Sequence, residues 1–404
     1  MSDGDRIRLS LVVFVVLFTQ LLVYPGVDEL VSALGGGAEI DASTAFLAAQ
    51  LLAFVLCAVL WGLVSDRAGR RVPFIVLGAL GGAASYLVLL GLAIAGVGGF
   101  RAALLVRFVE GAFTIGAFSL AITMLMDLDG GHGRNMGAAG IAIGSGAALG
   151  APIGGLLYTV GPLVVLLVSA GLLCVVAGVT VSIADRAPTG GGIGDVIAGL
   201  RRRPVLLLPF VLGFADRFTA GFFGLVGTFY FQQRFGLDPA ATGIVLACFF
   251  APFALLQYPL GALSDRIGRV VPIVAGSVGY GIAILAVGVA PSVVVAAGLM
   301  VLVGVLGALI APATMALVTD IAGEGGRGAA MGGFNVFGSL GFLGGVAIGG
   351  GVASRFGFPA AFGVAGGLEI LVAIVALPIL IRVVPDPTAT FGDGKDESLN
   401  RSDR

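Results

Sequence analysis

Long apolar runs, separated by short segments that hold most of the charge, limit this chain more than any other feature. A bilayer core about 30 Å thick takes about 20 apolar residues per helix. Runs of that order can be drawn near 9–33, 43–65, 71–96, 100–127, 134–158 and 162–184, and again near 204–233, 240–264, 270–290, 292–320, 328–354 and 359–383. They are too long for the roughly ten-residue alternating strands of a membrane barrel. Charged residues make up 11% of the chain, against roughly 25% in a soluble domain, too few to cover a water-facing surface. The pattern predicts an all-α integral membrane protein with twelve transmembrane helices. Its 68 glycines suit that setting, because small residues let helices approach closely in lipid.

Six spans, in 1–184, precede a polar linker at 185–203, and six follow in 204–384. A polar tail, 385–404, has the composition of a disordered segment. Within the linker, Asp195 to Arg203 fits a short amphipathic helix lying on the inner leaflet, its arginines at the headgroups. Arginine dominates one set of loops (Arg67, Arg70, Arg71, Arg134, Arg201, Arg202, Arg203, Arg266, Arg269, Arg327), whereas the first loop on the other side holds Glu39 and Asp41. By the positive-inside rule both termini are cytoplasmic and the protein is a multi-pass component of the cell membrane. The first run is too long for a signal-peptide core and lacks a small-residue cleavage site. Cys57, Cys174 and Cys248 lie within apolar runs at no ligand spacing, which predicts free thiols. A single histidine, His132, rules out a histidine metal cluster, and no cofactor is expected. The only lysine, Lys395, is in the tail, so there is no phosphate-binding G-x-x-x-x-G-K loop. Neither is there an H-E-x-x-H or G-x-S-x-G, so an enzyme is not expected.

One charged island occurs twice. Gly62-Leu-Val-Ser-Asp66-Arg67-Ala-Gly69-Arg70 separates the second and third runs, and Gly261-Ala-Leu-Ser-Asp265-Arg266-Ile-Gly268-Arg269 separates the eighth and ninth. The glycines are expected to permit a tight turn between helices. Arg70 and Arg269 can reach Asp127 and Asp320, which end the fourth and tenth runs at matching places. The spacing G-x-L-x-D-R-x-G-R resembles the loop signature of the major facilitator superfamily of transporters. That resemblance implies two parallel six-helix halves around an axis along the membrane normal, with the loop cluster acting as a latch on the cytoplasmic side.

Three ionisable groups or pairs fall inside apolar runs, where charge is costly by about 2.5–3.5 kcal/mol and usually functional. Arg107 and Glu110 in the fourth run share a helical face and can pair. The pattern Arg107-x-x-Glu110-Gly111 resembles the helix-4 motif of proton-coupled facilitators, with glutamate in place of the more usual glutamine. Asp216 and Arg217 lie near the midplane of the seventh run. Adjacent residues point about 100° apart, so one is expected to face a cavity and the other a neighbouring helix. Asp216 is the leading protonatable candidate. Glu369 is a lone acid in the twelfth run, expected to pack against a neighbour or to join the path.

The fifth run carries Gly146, Gly150, Pro152, Gly154 and Gly155. This resembles the antiporter signature G-x-x-x-G-P-x-x-G-G, with the proline displaced by one position. It implies exchange of protons for solute. Candidate cavity-lining groups are Tyr24, Gln50, Phe222, Tyr230, Gln257, Tyr258 and Asn335; such sparsely polar, aromatic walls suit a lipophilic or amphipathic solute. The reading is a secondary active transporter working by alternating access, most like the drug:proton antiporter branch, functioning as a monomer. Its expected partners are a small-molecule substrate, protons and the lipid bilayer, without nucleic acid. A proton-linked importer or uniporter of a small metabolite, such as a sugar or organic acid, is the alternative. A non-transporting membrane sensor is the second.

Overall fold

The computed structural model describes residues 3–128, 132–185, 193–323 and 326–383. Its spans follow the apolar runs. α1 covers Asp3–Ala33, α2 Ile40–Ala68, α3 Val72–Ala95, α4 Gly99–Met126, α5 His132–Tyr158 and α6 Val164–Val181. A short linker helix, Ile193–Arg202, precedes α7 at Pro204–Phe235, α8 at Pro239–Ile267, α9 at Val270–Gly288 and α10 at Val293–Ala322. The last helical run, Arg327–Val383, is broken at Gly357. Its φ of 80° and ψ of 171° belong to no helix, and only glycine adopts them without strain. Two spans result, α11 (327–356) and α12 (358–383), making twelve. The tail from residue 385 and the linker's first residues, 186–192, lie outside the described residues.

Leucines and valines face outward on many helices, Leu105 at 71% exposure and Val294 at 78% among them. In hydrocarbon such a surface meets its own kind of solvent, so van der Waals fit, rather than the hydrophobic effect, must hold the helices together. Glycine supplies that fit. A Cβ at Gly146, Gly150 or Gly154 of α5 would strike α1 at Phe14, Phe18, Leu21 or Leu22. In α11, Gly341, Gly345 and Gly349 stand in the same relation to Phe214, Phe218 and Phe222 of α7. Position for position, these are one interface built twice. Each stripe ends in a second glycine that packs across the molecule. Gly155 lies on Pro239 and Ala240 of α8, and Gly350 on Thr44 of α2.

The six-helix sets meet chiefly through α5 with α8 and α2 with α11. Along the first pair, Gly243 meets Ala151 near the side opposite the arginine-rich loops, and Gly144 meets Ala254 near the middle. Towards the arginine-rich side, a Cβ at Gly140 or Gly137 would meet nothing. Tyr258, one turn beyond Ala254, is 88% exposed. The pair is therefore joined from midplane to one side and parted on the arginine-rich side. At the closed end α1 and α7 both leave α-geometry, as a 3-10 turn at Tyr24–Gly26 and a π segment at Phe223–Gly227. There the Tyr24 ring lies where a Cβ of Gly224 would be, and Gln232 Nε2 donates to Pro25 O at 2.8 Å.

Two substitutions separate packing from open space. Gly154→Val, forced onto the Leu22 backbone, is expected to cost about 2–3 kcal/mol or more. Gly137→Ala is expected to stay within about 0.5 kcal/mol. Thermal denaturation of the detergent-purified protein reads both, and equal melting temperatures would contradict the interface described.

Candidate transport site

Three groups of charged residues stand out among the described residues, two inside the apolar interior and one at the loops, and each is positioned by a different local device. In the first set of helices Arg107 and Glu110 are one turn apart on α4, with Nη1 donating to Glu110 Oε2 at 3.1 Å. The same nitrogen approaches the Tyr86 hydroxyl at 3.3 Å, and Nη2 donates to Gln50 Oε1 at 2.6 Å. Phe46 faces the guanidinium, 4.9 Å from its ring centre, within cation–π range. Gly111 makes this possible: a Cβ there would strike the Gln50 backbone, so only glycine lets α2 come near enough for Gln50 to reach. Arg107 and Glu110 are both 0% exposed. The pair neutralises itself, although Arg107 Nε and Glu110 Oε1 are left without a hydrogen bond.

The second set of helices handles charge differently. Asp216 and Thr219 share a face of α7, and Thr219 Oγ1 donates to Glu369 Oε1 of α12 at 3.5 Å. Glu369 is thus turned into the bundle, 2% exposed. Tyr280 of α9 is fully buried beside them, its hydroxyl without a partner. Asp216 is part-buried, with Oδ1 sealed and unpaired. Its neighbour Arg217 turns the other way, onto α11. Its guanidinium carbon lies 5.9 Å from the Phe334 ring centre, and a Cβ at Gly338 would come within 3.2 Å of the guanidinium. Adjacent residues therefore point to different helices, as their 100° separation requires.

The third group is the loop cluster at the arginine-rich side, and here the sequence expectation needs correction. Arg71, not Arg70, joins Asp127, and its Nη2 lies 3.9 Å from Asp66. Arg70 is exposed. In the second loop Arg269 does meet Asp320, at 3.4 Å, and also Asp265 and Ser264. The two loops share spacing but not backbone. Gly69 is left-handed helical (φ 64°, ψ 22°), whereas Gly268 has φ 85° and ψ 167°. Rotating that peptide changes which residue after the glycine turns back towards the acids. Gly62 and Gly261 were expected in the turns, yet both lie inside helices, α2 and α8. Arg67 and Arg266 are exposed.

Of the expected cavity residues, Gln50 is committed to Arg107. Tyr24 accepts from Gln20 at 3.1 Å, and the Tyr230 hydroxyl donates to Val287 O at 3.0 Å. Phe222 packs on Phe362. All four are buried against protein. Gln257 is part-exposed and Asn335 exposed. Pro152 of α5 sits against Gly243 of α8. Gly338, Tyr86, Tyr280 and the α11 glycine stripe escaped the sequence reading, although the four-residue glycine spacing of α11 was visible there. Among the described residues no group of three or more His, Cys, Asp or Glu gathers as a metal would need, and the cysteines are free.

With that geometry in place, comparison with known proteins gives one family. The model of the Major Facilitator Superfamily matches residues 9–231 and 206–401. Among solved structures, the chain is similar to the human organic anion transporter TETRAN, with a TM-score of 0.68 and 22% identity over 93% of this chain and 100% of that one. The nucleoside transporter NupG gives 0.73 and 14% over 93% and 99%. A D-xylose-proton symporter gives 0.74 and 15% over 95% and 98%. These likenesses are ones of fold. No curated protein matches the chain.

The buried pair and the loop correction each predict a mutational outcome. Glu110→Gln strands the Arg107 charge and is expected to cost about 3–5 kcal/mol, most of it recovered when both residues are changed to Met. If the double variant is as unstable as the single one, the pair is not what neutralises Arg107. At the loop, Arg71→Gln is expected to lower the melting temperature measurably while Arg70→Gln leaves it unchanged.

Proposed function

The chain belongs to the major facilitator superfamily, and from that premise we propose that it is a proton-coupled transporter of an amphipathic organic solute, working by alternating access in the cell membrane with both termini cytoplasmic. One observation carries the coupling assignment. Asp216 is a part-buried carboxylate near the midplane whose inner oxygen has no partner, while its nearest cation, Arg217, is turned onto α11. A carboxylate so placed can gain or lose a proton without breaking an ion pair. Glu369, with Thr219 and Tyr280 behind it, is a second acid within its electrostatic reach. Arg107 and Glu110, in contrast, are closed off by their mutual pairing, which suits a structural element of the first set of helices.

Efflux by exchange was implied by the glycine pattern of α5. Because α11 repeats the stripe against α7, the pattern reads as helix packing and does not choose a direction. The charges favour the alternative, proton and solute moving together: a neutral, protonated Asp216 leaves Arg217 without the acid beside it in the chain. On this reading the arginine-rich loops, closed by ion pairs within each set of helices, serve the alternation between two openings.

The test uses purified protein in liposomes with an imposed pH gradient and a trapped pH-sensitive dye, amphipathic solutes of each charge being added in turn. Wild type is expected to couple solute and proton flux. Asp216→Asn is expected to keep solute counterflow while losing proton-driven transport by roughly tenfold or more. Proton flux unchanged in Asp216→Asn, or a sodium gradient driving transport equally well, contradicts the assignment.

A further inference from the structure

Arg217 is the one midplane cation in the second set of helices. α10 carries no ionisable side chain between its first residue and Asp320, and α11 none between Arg327 and Arg355. Among the described residues no hydrogen bond or ion pair reaches the Arg217 guanidinium, and its only aromatic neighbour is Phe334, at 5.9 Å. It is nonetheless not sealed. Arg217 is part-exposed, and none of its nitrogens is among the buried polar atoms that lack a partner. A charged group at this depth is costly unless something meets it. Arg107, the buried cation of the first set, has a carboxylate, an amide and a hydroxyl around it.

Space has also been kept for Arg217. Gly338 opposes it, where a methyl group would crowd the guanidinium at 3.2 Å. Asn335, three residues earlier on α11 and therefore on a neighbouring part of the same face, is exposed and supplies an amide. Phe334 contributes an aromatic wall. A planar, open, five-donor cation beside an amide and a ring matches a carboxylate on an aryl or otherwise apolar body.

We propose that the transported solute is a monovalent organic anion whose carboxylate is held by Arg217, with Asn335 as a second donor and Phe334 against its apolar body. This rests on the proton-coupled reading above and extends it to the substrate class. It also fixes the sense of coupling. With Asp216 ionised, its charge offsets that of Arg217; with Asp216 protonated, the anion finds an uncompensated cation. Binding of anion and proton is then mutually favourable, and linkage makes that reciprocal. Mutually favourable binding gives co-transport, whereas exchange requires the two to exclude each other. The ionisable groups within electrostatic reach of Asp216 are Arg217 on its own helix, Glu369 on α12 and Tyr280 on α9. Because α10 and α11 bring no charge at this depth, the offset is set by Asp216 and Arg217, with Glu369 behind them.

Three probes sharing one body decide the matter: 2-naphthoate, 2-naphthamide and 2-naphthylmethylammonium. Calorimetric titration of the full-length purified protein, repeated in buffers of different ionisation enthalpy, reads affinity and protons taken up together. The carboxylate is expected to bind roughly tenfold or more tightly than the amide and the ammonium, as a charge-assisted bidentate contact allows, with proton uptake. Arg217→Gln is expected to abolish that preference and Gly338→Ala to weaken it, the latter keeping the arginine should Arg217→Gln fold poorly. Asp216→Asn is expected to keep the preference while losing the proton uptake. Equal or better binding of the amide or ammonium, a preference that survives Arg217→Gln in folded protein, or proton release on binding the anion overturns the proposal. If the ammonium or amide instead moves protons in liposomes through wild type and not through Asp216→Asn, proton coupling stands and only the anion assignment falls.

Discussion

Backbone-to-backbone contact at glycine is the constraint on which the rest of this structure depends. In lipid the tails solvate leucine as well as another leucine does, so helices gain by fit and little by burial alone. Gly154 against Leu22 and Gly345 against Phe218 bring main chains together where any Cβ would intrude. That proximity fixes α1 on α5 and α7 on α11, and so sets the rotation of α7 about its own axis. Once that rotation is set, Asp216 and Arg217 have no choice of direction. The site is in this sense a consequence of the stripe: Gly341 and Gly345 seat the helix, and Gly338, three residues before Gly341 on α11, leaves room for the guanidinium.

A duplicated scaffold carries unequal chemistry. The interfaces α1–α5 and α7–α11 agree glycine for glycine, and the charged loops agree in spacing, yet the interiors diverge. α4 holds an arginine with its own carboxylate one turn away, neutral as a unit and closed to solvent. α7 places an acid and a base side by side, where helical geometry turns them apart. Burying a charge with its partner costs far less than burying it alone, so the first arrangement can be sealed and the second cannot. The difference gives the two sets of helices different interiors without any change of fold.

Much of this was legible in the sequence, and what was not has a physical cause. Spans followed from run length, and the separation of α11 from α12 from the gap between the runs at 328–354 and 359–383. The charged midplane residues stood out because lipid makes them rare. What composition could not give is rotation and backbone conformation. Arg70 and Arg71 differ by one position, and the ψ of Gly69 decides between them; the same spacing with the ψ of Gly268 selects Arg269. Likewise Gln50 and Tyr230 are polar residues on helices expected to flank a cavity, and whether they face one depends on inter-helix contacts many residues away. The α5 pattern is two-sided for a related reason. A glycine stripe looks the same in sequence whether it serves coupling or packing, and its recurrence on α11 against the equivalent helix shows the packing role.

The closure between the two sets of helices is made of contacts that are each weak. Among the described residues every ion pair is internal to one set: Arg6 with Asp3, Arg8 with Asp5, Arg71 with Asp66 and Asp127, Arg107 with Glu110, Arg269 with Asp265 and Asp320. Across the closed end lie instead the glycine contacts of Gly155 and Gly350, the Tyr24 ring over Gly224, and the hydrogen bond from Gln232 to Pro25. Such contacts are individually worth about 1 kcal/mol or less. Their sum can therefore be matched by an equivalent set on the opposite side, whereas a buried ion pair broken on opening would leave two charges stranded. The irregular turns of α1 and α7 fall at this closure, where backbone already out of α-geometry can adjust without first breaking a regular ladder. Within each set, the ion pairs can keep the helices rigid through the movement, so that the weak contacts between the sets are the ones that yield.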